Sequence, residues 1–149
     1  MTRVQQTIHV KAPIEVAFDY VADFSTTEEW DPGIAEASRL DVGPSREGSR
    51  FKVVADFNGR KLPLEYTITA FDRPRRIVLV GDGSTFHGVD EITFESAGSG
   101  TMVSYAADLQ LKGITRLVEP FMKGRFEELG RKAVAGLQRE LDRRGETSD

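Results

Sequence analysis

From Val4 to Val10 apolar and polar residues alternate, with Val4, Gln6, Ile8 and Val10 on one side and Gln5, Thr7 and His9 on the other. A period of two predicts a strand with one mostly apolar face. Lys11-Ala12-Pro13 ends it, and Pro13 suits the first turn of a helix because its missing N–H costs nothing there. Ile14, Ala17, Phe18 and Val21 then follow at helical spacing, with Glu15 near the positive end of the helix dipole. A second short helix is expected to open at Ser25 or Thr26, either of which can cap it, and to run to about Trp30. Asp31-Pro32-Gly33 stops it.

The next eighty residues read as strands. Ile34 to Val42 is a weak one. Phe51, Val53, Ala55 and Phe57 share one face of a better one, and Asn58-Gly59 is a hairpin signal, since both residues tolerate positive φ. Leu62, Leu64, Tyr66, Ile68 and Ala70 line one face of the partner, against Glu65, Thr67 and Thr69 on the other. Such alternation means one buried and one wetted face. Asp72-Arg73-Pro74 turns the chain into Arg76 to Val80, and Gly81-Asp82-Gly83 turns it again. Phe86, Gly88, Asp90, Ile92 and Phe94 face one way on the next strand. After Gly98-Ser99-Gly100, Thr101, Val103, Tyr105, Ala107 and Leu109 do so on the last. Consecutive strands joined by short turns imply an antiparallel meander.

One long helix is predicted from about Ile114 to about Arg144. Its stripe runs through Ile114, Leu117, Val118, Phe121, Met122, Phe126, Leu129, Ala133, Leu137 and Leu141 at steps of three and four. Pro120 is expected to kink it or make it start in two pieces. Gly124, Gly130 and Gly136 punctuate it, each costing about 1 kcal/mol relative to Ala, which points to close backbone approach or room for a ligand.

A sheet with one apolar face must cover it. The cover here is a helix of about thirty residues, about 45 Å long. A twisted sheet that curls around it either closes tightly or leaves a pocket. Large aromatics on the inner face (Phe51, Phe57, Tyr66, Phe86, Phe94, Tyr105) favour the pocket. So do the polar groups of Asp90, Tyr66 and Tyr105 on that face, because buried polar groups need partners.

The order of one strand, two short helices, six strands and a long helix resembles the START-like (SRPBCC) superfamily. Local patterns are similar to its polyketide cyclase/dehydrase-like group. They are residues 12–23, Glu29-Trp30-Asp31-Pro32-Gly33, Glu47-Gly48-Ser49-Arg50-Phe51, residues 66–72, residues 100–105 and Leu111-Lys112-Gly113. The resemblance covers nearly the whole chain. It implies an α+β helix-grip fold: a curved seven-stranded antiparallel sheet around a long C-terminal helix, with two short helices after the first strand. It also implies a cavity for lipids, polyketides, quinones or similar molecules. One domain over residues 1–144 and a loose tail over 145–149 are expected.

Composition narrows this further. The chain has 149 residues and no cysteine, so disulfides, thiolate nucleophiles and cysteine-bound zinc are excluded together. A domain of this size buries roughly 68–70% of its unfolded surface without staples. The net charge of −4 argues against a nucleic-acid footprint. No apolar run reaches the ~20 residues of a membrane span. The N-terminus lacks a signal-peptide core, and a cytoplasmic location is expected.

Candidate chemistry centres on Asp90, which is either a general acid or base raised by burial or a structural hydrogen-bonding group. Tyr66 and Tyr105 either hold a ligand or satisfy themselves locally. Trp30 is a cavity lid or a core plug. The expected lining is Trp30, Phe51, Val53, Phe57, Leu64, Tyr66, Ile68, Leu79, Phe86, Asp90, Ile92, Val103 and Tyr105, with Phe121, Met122 and Phe126 from the helix. His9 and His87 fall on polar faces, and no metal-ligand spacing or cofactor motif accompanies them. The basic run Arg73-Pro74-Arg75-Arg76 reads as a solvated hairpin end, and Gly81-Asp82-Gly83-Ser84 as a turn. The leading function is binding of a small hydrophobic ligand. A polyketide cyclase or dehydratase using Asp90 and tyrosines is the alternative, and a protein-interaction module with no usable pocket and an exposed apolar patch is the third. No motif is a signature of catalysis. A homodimer is left open.

Overall fold

The computed structural model describes residues 2–57 and 59–146. Strand β1 (Thr2–Val10) leads into helix α1 (Ile14–Ala22), a 3-10 turn (Phe24–Thr26) and helix α2 (Thr27–Trp30). Six strands follow: β2 (Ile34–Arg39), β3 (Arg50–Phe57), β4 (Arg60–Asp72), β5 (Arg76–Asp82), β6 (Phe86–Ala97) and β7 (Gly100–Leu111). A 3-10 segment (Gly113–Phe121) connects to helix α3 (Lys123–Glu146). All seven strands form one antiparallel sheet in the order β1-β7-β6-β5-β4-β3-β2. The meander read from the turns is therefore present, and β1 closes the sheet beside β7 rather than beside β2. This is the helix-grip arrangement.

The core lies where both helical layers meet the concave face. Phe18 of α1 meets Phe71 and Phe94 edge-on, with centroids 5.2 and 5.3 Å away. Leu137 and Leu141 of α3 are fully buried with Phe51, Ile68, Ile77, Leu79 and Ile92. Gly136 explains how α3 comes so near α2. A Cβ there would lie 1.9 Å from the Trp30 carbonyl oxygen.

Three local expectations need correction. The short helix after α1 is capped by Asp23, whose carboxylate accepts the Ser25 N–H at 3.3 Å, while Thr26 makes no capping bond. The Thr26 hydroxyl instead donates to the Tyr20 carbonyl at 3.1 Å. The C-terminal helix starts at Lys123, not near Ile114. Pro120 has no N–H and excludes an α-helical turn before it, so 113–121 winds as a 3-10 segment. Its rotation differs from the α-helical stripe, and Ile114, Leu117, Val118 and Phe121 stand exposed at 84, 74, 50 and 84%. At the other end the helix runs through Glu146, whose carboxylate pairs with Lys11 at 3.0 Å, so 145 and 146 are not tail. Residues 147–149 and Asn58 of the expected hairpin signal lie outside the described residues. No helix among the described residues is long and apolar enough to cross a membrane.

Candidate functional site

The concave face is filled at one end and open at the other. Registers across β4, β5, β6, β7 and β1 show why. One row runs Ile68, Leu79, Asp90, Ala107 and Val4. The next runs Tyr66, Gly81, Gly88, Leu109 and Thr2. Gly81 follows Ile77 and Leu79 on the inner face of β5, Gly88 precedes Asp90 and Ile92 on that of β6, and Ala107 lies between Tyr105 and Leu109 on that of β7, so the wall recedes there. An added Cβ at Gly81 would come within 2.5 Å of the Tyr66 ring, so that glycine is what lets the ring lie flat against β5. The N-terminal half of α3 spans this hollow with Phe126, Leu129, Gly130, Ala133 and Val134. The result is a partly open cavity of about 190 Å³, far above the ~10–15 Å³ that one water needs.

Most of its wall is apolar, with Phe57, Leu64, Phe86 and Phe126 among the larger groups. Its polar end is built from Asp90, Tyr105, Tyr66 and Asp31. Asp90 sits on β6 opposite Ala107, and Tyr105 sits on β7 opposite Ile92, one step along the same face. That diagonal brings the Tyr105 hydroxyl to Asp90 Oδ2, to which it donates. Asp90 is 5% exposed. Burial pushes its carboxyl up to about 7, the Tyr105 hydrogen bond pulls the other way, and negative charge at Asp31 and Asp108 adds to the rise. Asp31 follows α2 in a tight turn, and its Oδ1 accepts the Gly33 N–H at 2.8 Å. Burial raises it to about 6 against that hydrogen bond. Both tyrosines are held well above the usual phenol range, first by burial and then by the charge on Asp90. They are neutral hydrogen-bonding groups at any ordinary pH.

The expected lining divides into three sets. Phe57, Leu64, Tyr66, Phe86, Asp90, Tyr105 and Phe126 line the cavity. Phe51, Val53, Ile68, Leu79, Ile92 and Val103 point to the same concave side but are packed in the filled end. Trp30 is also core: it is 2% exposed, its Nε1 donates to Thr26 Oγ1 at 3.1 Å, and its ring meets Tyr105 edge-on at 6.3 Å. Met122 packs beside Phe126 without reaching the cavity, and Phe121 points into solvent. Both follow from the 3-10 winding before α3.

Asp31, Val4 and Gln6 line the cavity and were not among the expected residues. Val4 and Gln6 carried a readable signal, the inner side of an alternating strand. Asp31 carried only a turn signal, which hid its second role. Elsewhere, the basic run ties the end of the β4–β5 hairpin to its neighbours: Arg73 makes a two-point ion pair with Asp19 of α1 at 2.8 Å, and Arg76 pairs with Glu91 of β6 at 2.7 Å. Asp82 pairs with Lys112 at 2.6 Å and with His87 at 3.1 Å. His9 is exposed and bonds the Ala97 carbonyl.

Comparison with known proteins agrees with this architecture. A START superfamily protein from Mycobacterium smegmatis superposes with a TM-score of 0.74 at 16% identity, covering 100% of both chains. The Zhui aromatase/cyclase from Streptomyces sp. R1128 gives 0.75 at 16% identity, covering 95% of this chain and 94% of its own. A protein from Thermus thermophilus gives 0.77 at 16% identity, covering 99% of each. At such identities the likeness establishes the fold alone. No curated protein matches the sequence significantly. The sequence profile described as polyketide cyclase/dehydrase and lipid transport matches residues 1–142. The chain thus belongs to that family.

Proposed function

We propose that this protein binds a small, largely apolar molecule in the cavity between the sheet and α3. The observation that carries this is a 190 Å³ hollow whose wall is mostly apolar, its polar side chains being Gln6, Asp31, Asp56, Tyr66, Asp90 and Tyr105. Affinity would come from apolar burial at roughly 25 cal/mol per Å², set against the costs of association. The polar end would fix orientation. Mass spectrometry of solvent extracts from the purified protein is expected to find an apolar molecule. Ala133→Phe, which fills the hollow, is expected to weaken binding of the neutral dye Nile red at least ~10-fold while the protein stays folded. A clean extract together with no dye binding would end this reading.

The Asp90–Tyr105 pair favours a second reading, a cyclase or dehydratase acting on a polyketide chain. A carboxyl near 7 suits proton transfer at neutral pH. Here Asp90→Asn is expected to retain dye binding and lose turnover of a polyketide substrate, and normal turnover would remove Asp90 from that role. The interaction-module reading anticipated exposed apolar side chains and no usable pocket. Residues 113–121 supply the first, and the cavity weighs against the second.

A further inference from the structure

The cavity wall is lopsided in charge. Among the described residues it includes Asp31, Asp56 and Asp90, and no lysine, arginine or histidine. Asp56 is answered from outside by Lys61 at 2.5 Å. Asp31 and Asp90 have no cationic partner among the described residues. Their hydrogen bonds use only part of their capacity: Asp31 Oδ1 takes the Gly33 N–H, and Asp90 Oδ2 takes the Tyr105 hydroxyl. The second oxygen of each carboxyl makes no hydrogen bond among the described residues. Tyr66, 8% exposed and on the cavity wall, has a hydroxyl with no hydrogen-bond partner among them either. It lines the same cavity as both carboxyls. Two carboxyls, each with an oxygen not used in a hydrogen bond, thus line an apolar hollow whose donors, the Tyr66 hydroxyl and the Gln6 amide, are uncharged and which holds no cation among the described residues.

A buried carboxylate without a cation is costly. A ligand that brings positive charge and several N–H donors removes that cost, and an ammonium carries three donors and no acceptor. A ligand carboxylate or phosphate would add like charge in a poorly solvated space. Resting on the cavity-binding reading, we propose that the cavity selects apolar molecules bearing a protonated amine, with the ammonium seated among Asp31, Asp90 and the Tyr66 hydroxyl. The apolar body then lies against Phe57, Phe86 and Phe126.

Three probes of one shape test this: 2-naphthylmethylamine, 2-naphthylmethanol and 2-naphthoate, titrated calorimetrically into the full chain at pH 7. The amine is expected to bind at least ~10-fold tighter than the alcohol, and the naphthoate most weakly. In the Asp31→Asn, Asp90→Asn double variant, with its fold checked by circular dichroism, the amine-to-alcohol ratio is expected to fall to about one while alcohol binding persists. If the alcohol or naphthoate binds the wild type as tightly as the amine, the amine selectivity is overturned and the cavity reading stands. An amine preference that survives in the double variant overturns the assignment to these carboxylates. If none of the three binds while Nile red does, the amine selectivity is overturned and the cavity reading stands, and if Nile red also fails to bind and the extract is clean, both readings fall.

Discussion

Asp90→Asn is expected to make the protein more stable at pH 8, by about 2–4 kcal/mol, and to leave stability near pH 4 almost unchanged. In the folded chain burial raises this carboxyl from 3.8 to about 7. In the unfolded chain it ionises in the ordinary range near 4. Across the window between those values the folded protein holds a proton that the unfolded chain has released. Its stabilising share is complete below about pH 4 and is lost as pH rises toward 7. Asp31, raised to about 6, slopes the same way over a narrower window. An asparagine never ionises, so the difference in urea midpoint between variant and wild type isolates the Asp90 part. That difference should open between pH 4 and 7 and level off above. Asp56 and Asp82, held low chiefly by hydrogen bonds to Lys61 and Lys112, act in the opposite sense at acid pH and are common to both proteins. An asparagine variant less stable than wild type at pH 8 would mean that the carboxylate form is held by contacts stronger than the Tyr105 bond.

Gly136→Ala is expected to destabilise the protein by about 2–4 kcal/mol, against the ordinary rule that Ala improves a helix interior by about 1 kcal/mol over Gly. The methyl would fall 1.9 Å from the Trp30 carbonyl oxygen and 2.9 Å from its carbon. Those are backbone atoms and have no rotamer to turn away. Helix α3 must lift from α2, which loosens Trp30 and the ring it packs on, Tyr105. Gly124 on the same helix is the control, since nothing lies within 4 Å of its would-be Cβ. Gly124→Ala should be neutral or stabilising by up to about 1 kcal/mol. In a domain of this size the first change should lower the melting temperature by roughly 4–16 °C and the second raise it by at most a few degrees. Equal shifts of one sign would show that the α2–α3 contact does not limit stability.

Much of this fold is legible in the residue pattern because strands and helices bury their faces with different periods. Val53, Leu64, Ile68, Ile77, Ile92 and Val103 all land inside, as alternation requires. The places where the pattern misleads have local causes. A register irregularity between Ile68 and Ala70 on β4 breaks the regular alternation, and Ala70 is only half-buried. Phe121 continues a helical stripe on paper, but Pro120 changes the winding and leaves its ring in water. The candidate site is legible only in part. Asp90 and Tyr105 share a face in the alternation, whereas Asp31 reads as nothing more than the end of a short helix.

By itself the sequence determined the order of elements, the inward side of each strand, and the need for a long helix to cover the sheet. Those follow from short-range chemistry: periodicity, turn residues and the cost of exposed apolar faces. Only the tertiary structure decided that β1 pairs with β7, that α3 touches one end of the concave face and stands off the other, and that Asp31 joins Asp90 and two tyrosines. These depend on which small residues meet across neighbouring strands and on one glycine against a carbonyl. Contacts between distant positions leave no trace in local spacing.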